Sequence, residues 1–317
     1  MKYIITGHSG FVGQHFIEYL LSVEPDAAIM GIDICSASKP VIGDFSECII
    51  NLLDREKVDT VIAGFNPDFL LHLASFSSVA YSWKEPYDSF LNNMTILLNV
   101  MESVRKFSPA CRILSIGSSE EYGIVGQNDL PLTENKPFNP ASPYAVARVS
   151  QEYMSLVYVN GFKLDIICTR SFNHIGIGQD SRFVVGAIAR KVAEYVCGKI
   201  TEITTGDASI VRDFVDVRDV VRAYYMLFKH GVHGNIYNVC SGNGHSISDI
   251  IQKFTTAADC NPAIRIDQSL LRPVENRMVV GSYTKIHTEI GWEPQISIDD
   301  SIKEIAAWWI DKIKNND

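Results

Sequence analysis

Short aliphatic runs punctuate the first half of the chain. They are Lys2–Thr6, Ala28–Asp33, Cys48–Asn51, Phe69–Leu73, Arg112–Gly117 and Leu164–Thr169. Each is followed by a turn or by a longer stretch with apolar residues at helical spacing. Strands that read as continuous apolar runs fit a parallel sheet covered on both faces. Runs separated by helices predict strand–helix–strand units, and right-handed crossovers then predict a doubly wound sheet. The expected fold is α/β, with a Rossmann-like parallel sheet. One helix is well punctuated, from about Ser142 to Asn160. Ser142 suits its cap, Pro143 its first turn and Gly161 its end.

Beyond about Ser171 the pattern changes. Helices are expected over Arg182–Gly198, Asp219–His230, Ser246–Ala258 and Ser301–Lys314, with a strand at Asn235–Val239. The last helix buries Trp308 or Trp309. With no repeat, low-complexity tract or linker, the reading is one unit with a cleft between a sheet region and a smaller C-terminal α/β region.

Composition sharpens this. The 317 residues are 46% hydrophobic and 21% charged, as in a globular protein. Lys plus Arg number 28 and Asp plus Glu 37, so the formal charge is 28 − 37 = −9. That argues against nucleic-acid and anionic-membrane partners, which need a basic face. No stretch approaches the roughly 20 apolar residues of a membrane helix, and no secretory signal is visible. The seven cysteines are scattered and mostly set among aliphatic residues. They read as reduced, core-type thiols of a cytoplasmic protein, with no metal site.

The first chemical signal is Thr6-Gly7-His8-Ser9-Gly10-Phe11-Val12-Gly13, between the first strand and a helix. Gly7, Gly10 and Gly13 let the backbone turn tightly and approach a pyrophosphate. The helix start at Phe11 and Val12 supplies N–H donors. Asp33 ends the second strand about 20 residues later, where a ribose-binding carboxylate is expected. Such a carboxylate accepts from both ribose hydroxyls of NAD and repels the extra phosphate of NADP, so NAD is expected. The second signal is Ser118, after a strand, with Tyr144-Ala145-Val146-Ala147-Arg148 on the capped helix. Residues four apart share a helix face, and a cation beside a phenol favours its charged form.

Together, the loop, Ser118 and Tyr144 resemble an extended short-chain dehydrogenase/reductase acting on nucleotide sugars, over nearly the whole chain. Further segments are most similar to GDP-6-deoxy-4-keto-hexose reductases and GDP-mannose 4,6-dehydratases. They are Gly117-Ser118-Ser119-Glu120-Glu121-Tyr122-Gly123, Phe172-Asn173-His174-Ile175-Gly176, Val211 to Asp219, Tyr237-Asn238-Val239-Cys240-Ser241-Gly242 and Leu271-Arg272-Pro273. The resemblance implies an NAD(P)-binding Rossmann domain over 1–170, to which 210–240 return. It implies a nucleotide-sugar-binding domain from 171–209 and 241–317. Asn51 and Leu52 would lie near adenine, although the family usually has an aspartate where Asn51 stands. Leu73 and Ala74 would flank the cofactor, and Asn93 would be the buried asparagine of the central helix. Ser118 and Tyr144 would bind the sugar C4 oxygen, with Ser119 beside them. Asn173 would contact the diphosphate, and Phe183 and Val184 would lie near the base. Arg212, Arg272 and Glu275 would hold phosphate and ribose. The alternative for Arg212 and Arg218 is ion pairing with Asp213, Asp216 and Asp219, more so for Arg218.

Arg148 departs from the family's lysine. It keeps the charge but stays protonated, so it cannot relay protons. Three functions follow. The first is an NAD(H)-dependent C4 oxidoreductase of a GDP-linked hexose or heptose. The second is a 4,6-dehydratase with Glu120 as base. The third is a low-turnover nucleotide-sugar-binding protein with retained cofactor. Glu121 reads as a solvated or salt-bridged carboxylate. In similar enzymes the outer faces of two helices pair across a two-fold axis, so a homodimer through a four-helix bundle is expected, using Met154, Val157 and Val100.

Overall fold

The computed structural model describes residues 1–37, 43–270 and 276–315. The first half alternates strand and helix: β1 (Lys2–Thr6), α1 (Phe11–Val23), β2 (Ala28–Asp33), β3 (Phe45–Ile49), α2 (Arg55–Phe65), β4 (Phe69–His72), α3 (Val79–Lys84), α4 (Pro86–Phe107), β5 (Arg112–Ser118) and α5 (Pro143–Phe162). There follow β6 (Ile166–Ser171), β7 (Asn173–Ile175), α6 (Val184–Val196), β8 (Glu202–Thr205), β9 (Val211–Asp216), α7 (Val217–His230) and β10 (Ile236–Val239). The chain continues through β11 (Gly244–Ser246), α8 (Ile247–Ala257), β12 (Ala263–Ile266), β13 (Met278–Val279), α9 (Thr284–Ile290) and α10 (Ile298–Asn315).

Seven strands form one parallel sheet in the order β10-β6-β5-β4-β1-β2-β3. The order reverses at β1, which pairs with β2 on one side and β4 on the other. Ligands of open α/β sheets bind beyond the carboxyl ends of strands at such a reversal. The sheet is covered on both faces, as its apolar strands require. One face packs α1 and α7 with Trp292, and the other packs α2, α4 and α5. A third core joins α6, α8 and α10, with Trp309 buried in it and Trp308 against it. Beside it, β9 pairs with β11, β13 and β7, and β8 pairs with β12. Among the described residues, no helix is long and apolar enough to cross a membrane.

Several boundaries differ from the sequence reading. The third strand is Phe45–Ile49, not Cys48–Asn51, because Asn51 Oδ1 accepts from Leu53 N at 2.9 Å and Asp54 then caps α2. Gly161 lies inside α5, and Lys163 takes the left-handed conformation (φ 60°) that ends it. Leu164 is therefore turn, and the next strand begins at Ile166. The last helix starts at Ile298, because Ser297 Oγ, not Ser301, accepts from Asp300 N (3.1 Å). Ser301 is buried and donates to Asp216 Oδ2 at 2.6 Å. Val100 is fully buried, since α4 is wedged between α2 and α5, so it cannot belong to an outer dimer face. Met154 also leans on the core, while Val157 is exposed. All seven cysteines are free. Cys111, Cys168 and Cys240 are buried, but Cys35 is exposed.

Candidate active site

The glycine loop leaves β1 at the strand-order reversal. Gly7 has φ 74°, and a Cβ there would stand 2.8 Å from Ala74 N. A Cβ on Gly13 would stand 2.5 Å from Gly7 O. Gly10 caps α1 with no side chain bonded to the helix N–H groups. This tight backbone cradle at a helix N-terminus fits a dinucleotide pyrophosphate. Asp33 closes over it. Its Oδ2 accepts from Ser9 N (3.1 Å) and Ser9 Oγ (2.6 Å), and its Oδ1 from Ile34 N (2.7 Å). A carboxylate has about four acceptor sites, so capacity remains for a ribose hydroxyl. Asn51 is exposed, while Leu52 is core.

Leu73 and Ala74 leave the end of β4 beside the loop. Ala74 N donates to Thr6 Oγ1 at 3.2 Å, and the same oxygen lies 2.9 Å from His72 Nδ1. Burial, reinforced by the Arg148 charge, pushes His72 down to about 3. It is therefore neutral at physiological pH, with Nε2 buried and unpartnered.

Ser142 Oγ accepts from Ala145 N at 3.1 Å, fixing the start of α5. Tyr144 and Arg148 follow one turn apart, both buried. Arg148 Nε donates to Tyr144 Oη at 3.0 Å, and the guanidinium lies 5.1 Å from the ring centre. Its Nη1 donates to Ile116 O and Gln151 Oε1, each at 2.9 Å, and its Nη2 to Ser75 Oγ at 2.6 Å. Gln151 Nε2 donates to Asn93 O at 2.7 Å. The Asn93 amide brackets Phe76, accepting from its N (2.8 Å) and donating to its O (3.1 Å). One buried network thus joins Tyr144, Arg148 and Asn93. The bond to Ile116 ties α5 to β5, two residues before Ser118. Ser118 Oγ accepts from Glu120 N at 3.2 Å and begins the turn Ser119–Tyr122. Ser119 is buried. The half-buried Glu120 carboxylate has no hydrogen-bond or ion-pair partner among the described residues. Glu121 is not solvated but completely buried, and the salt-bridged alternative is the one found, with Arg170 Nε 3.8 Å from its Oε2.

The expected substrate residues are more dispersed. Asn173 sits on β7, paired in register with Phe214. Phe183 caps α6 and Val184 begins it, both exposed. Arg212 is buried on β9, and its Nη1 donates to Val211 O (2.9 Å) and Asn276 O (2.7 Å). Arg272 and Glu275 lie outside the described residues. Arg218 pairs with Asp216 and Glu304, each at 2.9 Å. Asp213 accepts instead from Ser241, Gly242 and Gly281. Asp219 pairs with Arg222.

Sequence reasoning missed Gln151, Ser75 and His72. Gln151 follows Arg148 by three residues and Tyr144 by seven, so helical spacing could have found it. Nothing in the sequence spacing points to Ser75, because its contact crosses the fold.

A parallel sheet in this order, opened by a glycine cradle and faced by a Tyr-x-x-x-Arg helix, has the layout of the short-chain dehydrogenases/reductases in their extended, nucleotide-sugar form. The chain belongs to the GDP-mannose 4,6 dehydratase family, whose profile matches residues 4–305. It is 31% identical to GDP-6-deoxy-D-mannose reductase of Pseudomonas aeruginosa, over 99% of this chain and 98% of that protein. Its structure is similar to that of RMD from Pseudomonas aeruginosa complexed with NADPH, with TM-score 0.87, 30% identity and coverage of 98% and 99%. It is also similar to Thermus thermophilus UDP-glucose 4-epimerase in complex with NAD, with TM-score 0.88, 26% identity and coverage of 98% and 99%. The family and fold expected from the sequence are both found. The family's enzymes are nicotinamide-dependent dehydratases, reductases and epimerases of nucleotide sugars.

Proposed function

We propose that this protein is an NAD(H)-dependent C4 oxidoreductase of a GDP-linked hexose or heptose. The carrying observation is the Arg148 Nε–Tyr144 Oη bond of 3.0 Å, buried at the end of the sheet. A nicotinamide, when bound, supplies or accepts the hydride at C4. Gly7, Gly10, Gly13 and the first turn of α1 hold its pyrophosphate. Asp33 holds the adenosine ribose, Leu52 lies by the adenine, and Leu73 and Ala74 line the path. Tyr144 gives a proton to the C4 oxygen in reduction and takes it in oxidation, while Arg148 stabilises negative charge on the phenol oxygen. Ser118 donates a hydrogen bond to the same C4 oxygen. Asn173, Arg212, Arg272 and Glu275 hold the diphosphate and ribose, and Phe183 and Val184 the base. Arginine suits phosphate because its planar fork donates two parallel bonds.

The free carboxylate of Glu120 favours a second reading, 4,6-dehydration with Glu120 removing the C5 proton. Incubation with GDP-mannose, GDP-manno-heptose and their 4-keto-6-deoxy forms, with NAD or NADH, separates the two. Oxidoreduction changes nicotinamide absorbance stoichiometrically with product. Dehydration loses water with no net change. No product from any of them would overturn both and favour nucleotide-sugar binding with retained cofactor.

NAD over NADP rests on Asp33, against the NADPH found with the Pseudomonas protein. Tighter binding of NADPH than NADH would overturn it. We also propose a homodimer. Leu91 on α4 and Val146, Tyr153 and Val157 on α5 are exposed, and two copies would bury them as a four-helix bundle. A monomer by light scattering at micromolar concentration would contradict this.

A further inference from the structure

Behind Ser118 lies a charged cluster that the proposed reaction does not use. Glu121 Oε1 accepts from Ser118 N at 2.6 Å. Its Oε2 has no hydrogen-bond partner and lies 3.8 Å from Arg170 Nε. Arg170 is already committed. Its Nε and Nη2 hold the two oxygens of Glu152 at 2.9 and 2.8 Å, and its Nη1 donates to Glu134 O at 3.1 Å. The rings of Tyr122 and Phe138 lie over its plane, 4.8 and 4.4 Å from the guanidinium carbon. Glu152 and Arg170 are as inaccessible as Glu121 is, within a few per cent. Even the backbone makes room: a Cβ on Gly117 would overlap Glu121 Oε1 and Thr169 O.

One guanidinium therefore meets two carboxyl groups in a dry pocket, and its fork satisfies one of them. A second bare carboxylate would meet both a desolvation cost and like-charge repulsion. A proton on Oε2 removes both, because a neutral Glu121 can donate it to Glu152. Burial first, and then the Glu152 charge, push the Glu121 carboxyl well above the usual carboxylate range, against the pull of Ser118 N–H and Arg170. The other titratable groups facing it are Cys168 on β6 and Tyr122 on its own turn, with Glu134 beyond. Burial raises Cys168 and Tyr122, so both stay neutral at physiological pH.

We propose that Glu121 is a positioning residue for Ser118: as a neutral acid sharing its proton with Glu152, it holds the serine amide, and with it the hydroxyl, at the end of β5. The link to turnover rests on the role proposed for Ser118. Glu152 lies on the same helix as Tyr144, so the shared proton couples the serine turn to the tyrosine helix. Loss of the proton sets two carboxylates against one arginine and loosens the turn, so turnover falls at alkaline pH.

The test compares wild type with Glu121→Gln and Glu121→Leu. Glutamine keeps the acceptor and puts an N–H where the proton sits. Leucine removes both. Hydrogen–deuterium exchange at Ser118 should be slow in wild type and Glu121→Gln and faster in Glu121→Leu. Infrared spectra at neutral pH should show a protonated-carboxyl band in wild type that Glu121→Gln lacks. With an active sugar in hand, Glu121→Leu should lower kcat by about ten- to a hundred-fold with little change in KM, as expected for a misplaced group. Glu121→Gln should restore most of kcat and flatten its alkaline limb. Equal exchange in all three, no carboxyl band, or identical alkaline limbs in wild type and Glu121→Gln would each overturn the proposal. An inert wild type would instead sink the proposed reaction, and exchange and infrared would still decide the role of Glu121.

Discussion

Helices α5 and α7 cover opposite faces of one sheet, yet their buried sides differ in kind. α7 buries Val217, Val220, Val221, Ala223, Tyr224, Leu227 and Phe228, with Asp219 at its start the one buried charge. α5 buries Tyr144, Arg148, Gln151, Glu152 and Ser155 beside Ala145, Ala147, Tyr158 and Val159, and exposes Val146, Tyr153 and Val157. The first helix is held by transfer of apolar surface, which is non-directional. The second adds to its apolar end directional bonds that must all be satisfied, because an unpaired buried polar group is costly. One helix is scaffold, and the other turns its polar groups inward, where the proposed reaction needs them.

The contrast can be broken in several ways. Tyr144→Phe should lower kcat about a thousand-fold, close to 4 kcal/mol in the barrier, with the circular dichroism spectrum retained. A loss under about ten-fold would mean that α5 is not the reacting helix. Leu227→Ala should do the reverse, costing about 2–5 kcal/mol in urea unfolding while leaving kcat per folded molecule intact. Arg148→Lys strands Gln151 Oε1 or Ile116 O, so stability should drop by about 1–3 kcal/mol. Turnover and NADH affinity should also shift; if neither moves, the departure from lysine has no mechanistic weight.

The fourth prediction is a pH effect. His72 is depressed to about 3, so the folded state binds fewer protons than the unfolded state. Its contribution to stability is present above the unfolded value near 6.5 and is lost as pH falls towards 3. The loss reaches at most about 1.4 kcal/mol per pH unit, and His72→Gln should flatten it in urea titrations run across this window. The smallest effect is Val157→Asp on the exposed side of α5. It should leave monomer stability within about 0.5 kcal/mol but dissociate the proposed dimer in light scattering.

The two helices also differ in how far their sequences could be read. The parallel sheet was legible because its strands are apolar throughout, and the glycine cradle because it needs glycine at fixed spacing. Ser142 was legible as a cap, since capping is local. The short strands β7, β8, β9, β11, β12 and β13 were not, because two- to six-residue pairings depend on distant partners. The pair Tyr144 and Arg148 could be placed by helical spacing. The wider network could not: Ser75 lies 73 residues from Arg148, and Asn93 lies 58 from Gln151. Arg170, the β6 residue just past the run Leu164–Thr169, gave no hint that it would carry Glu152 and face Glu121.

The third core has a consequence for synthesis. Its wall is α10, residues 298–315, laid against α6 and α8. The strands β1 to β6 are complete by Ser171, and domains form from the N-terminus as the chain emerges. The sheet can therefore begin to pair on the ribosome, while α6 meets β8 first, then α8 from Ile247, and its last neighbour α10 only from Ile298. The core around α6 is thus built stepwise and stays partly open until α10 is made.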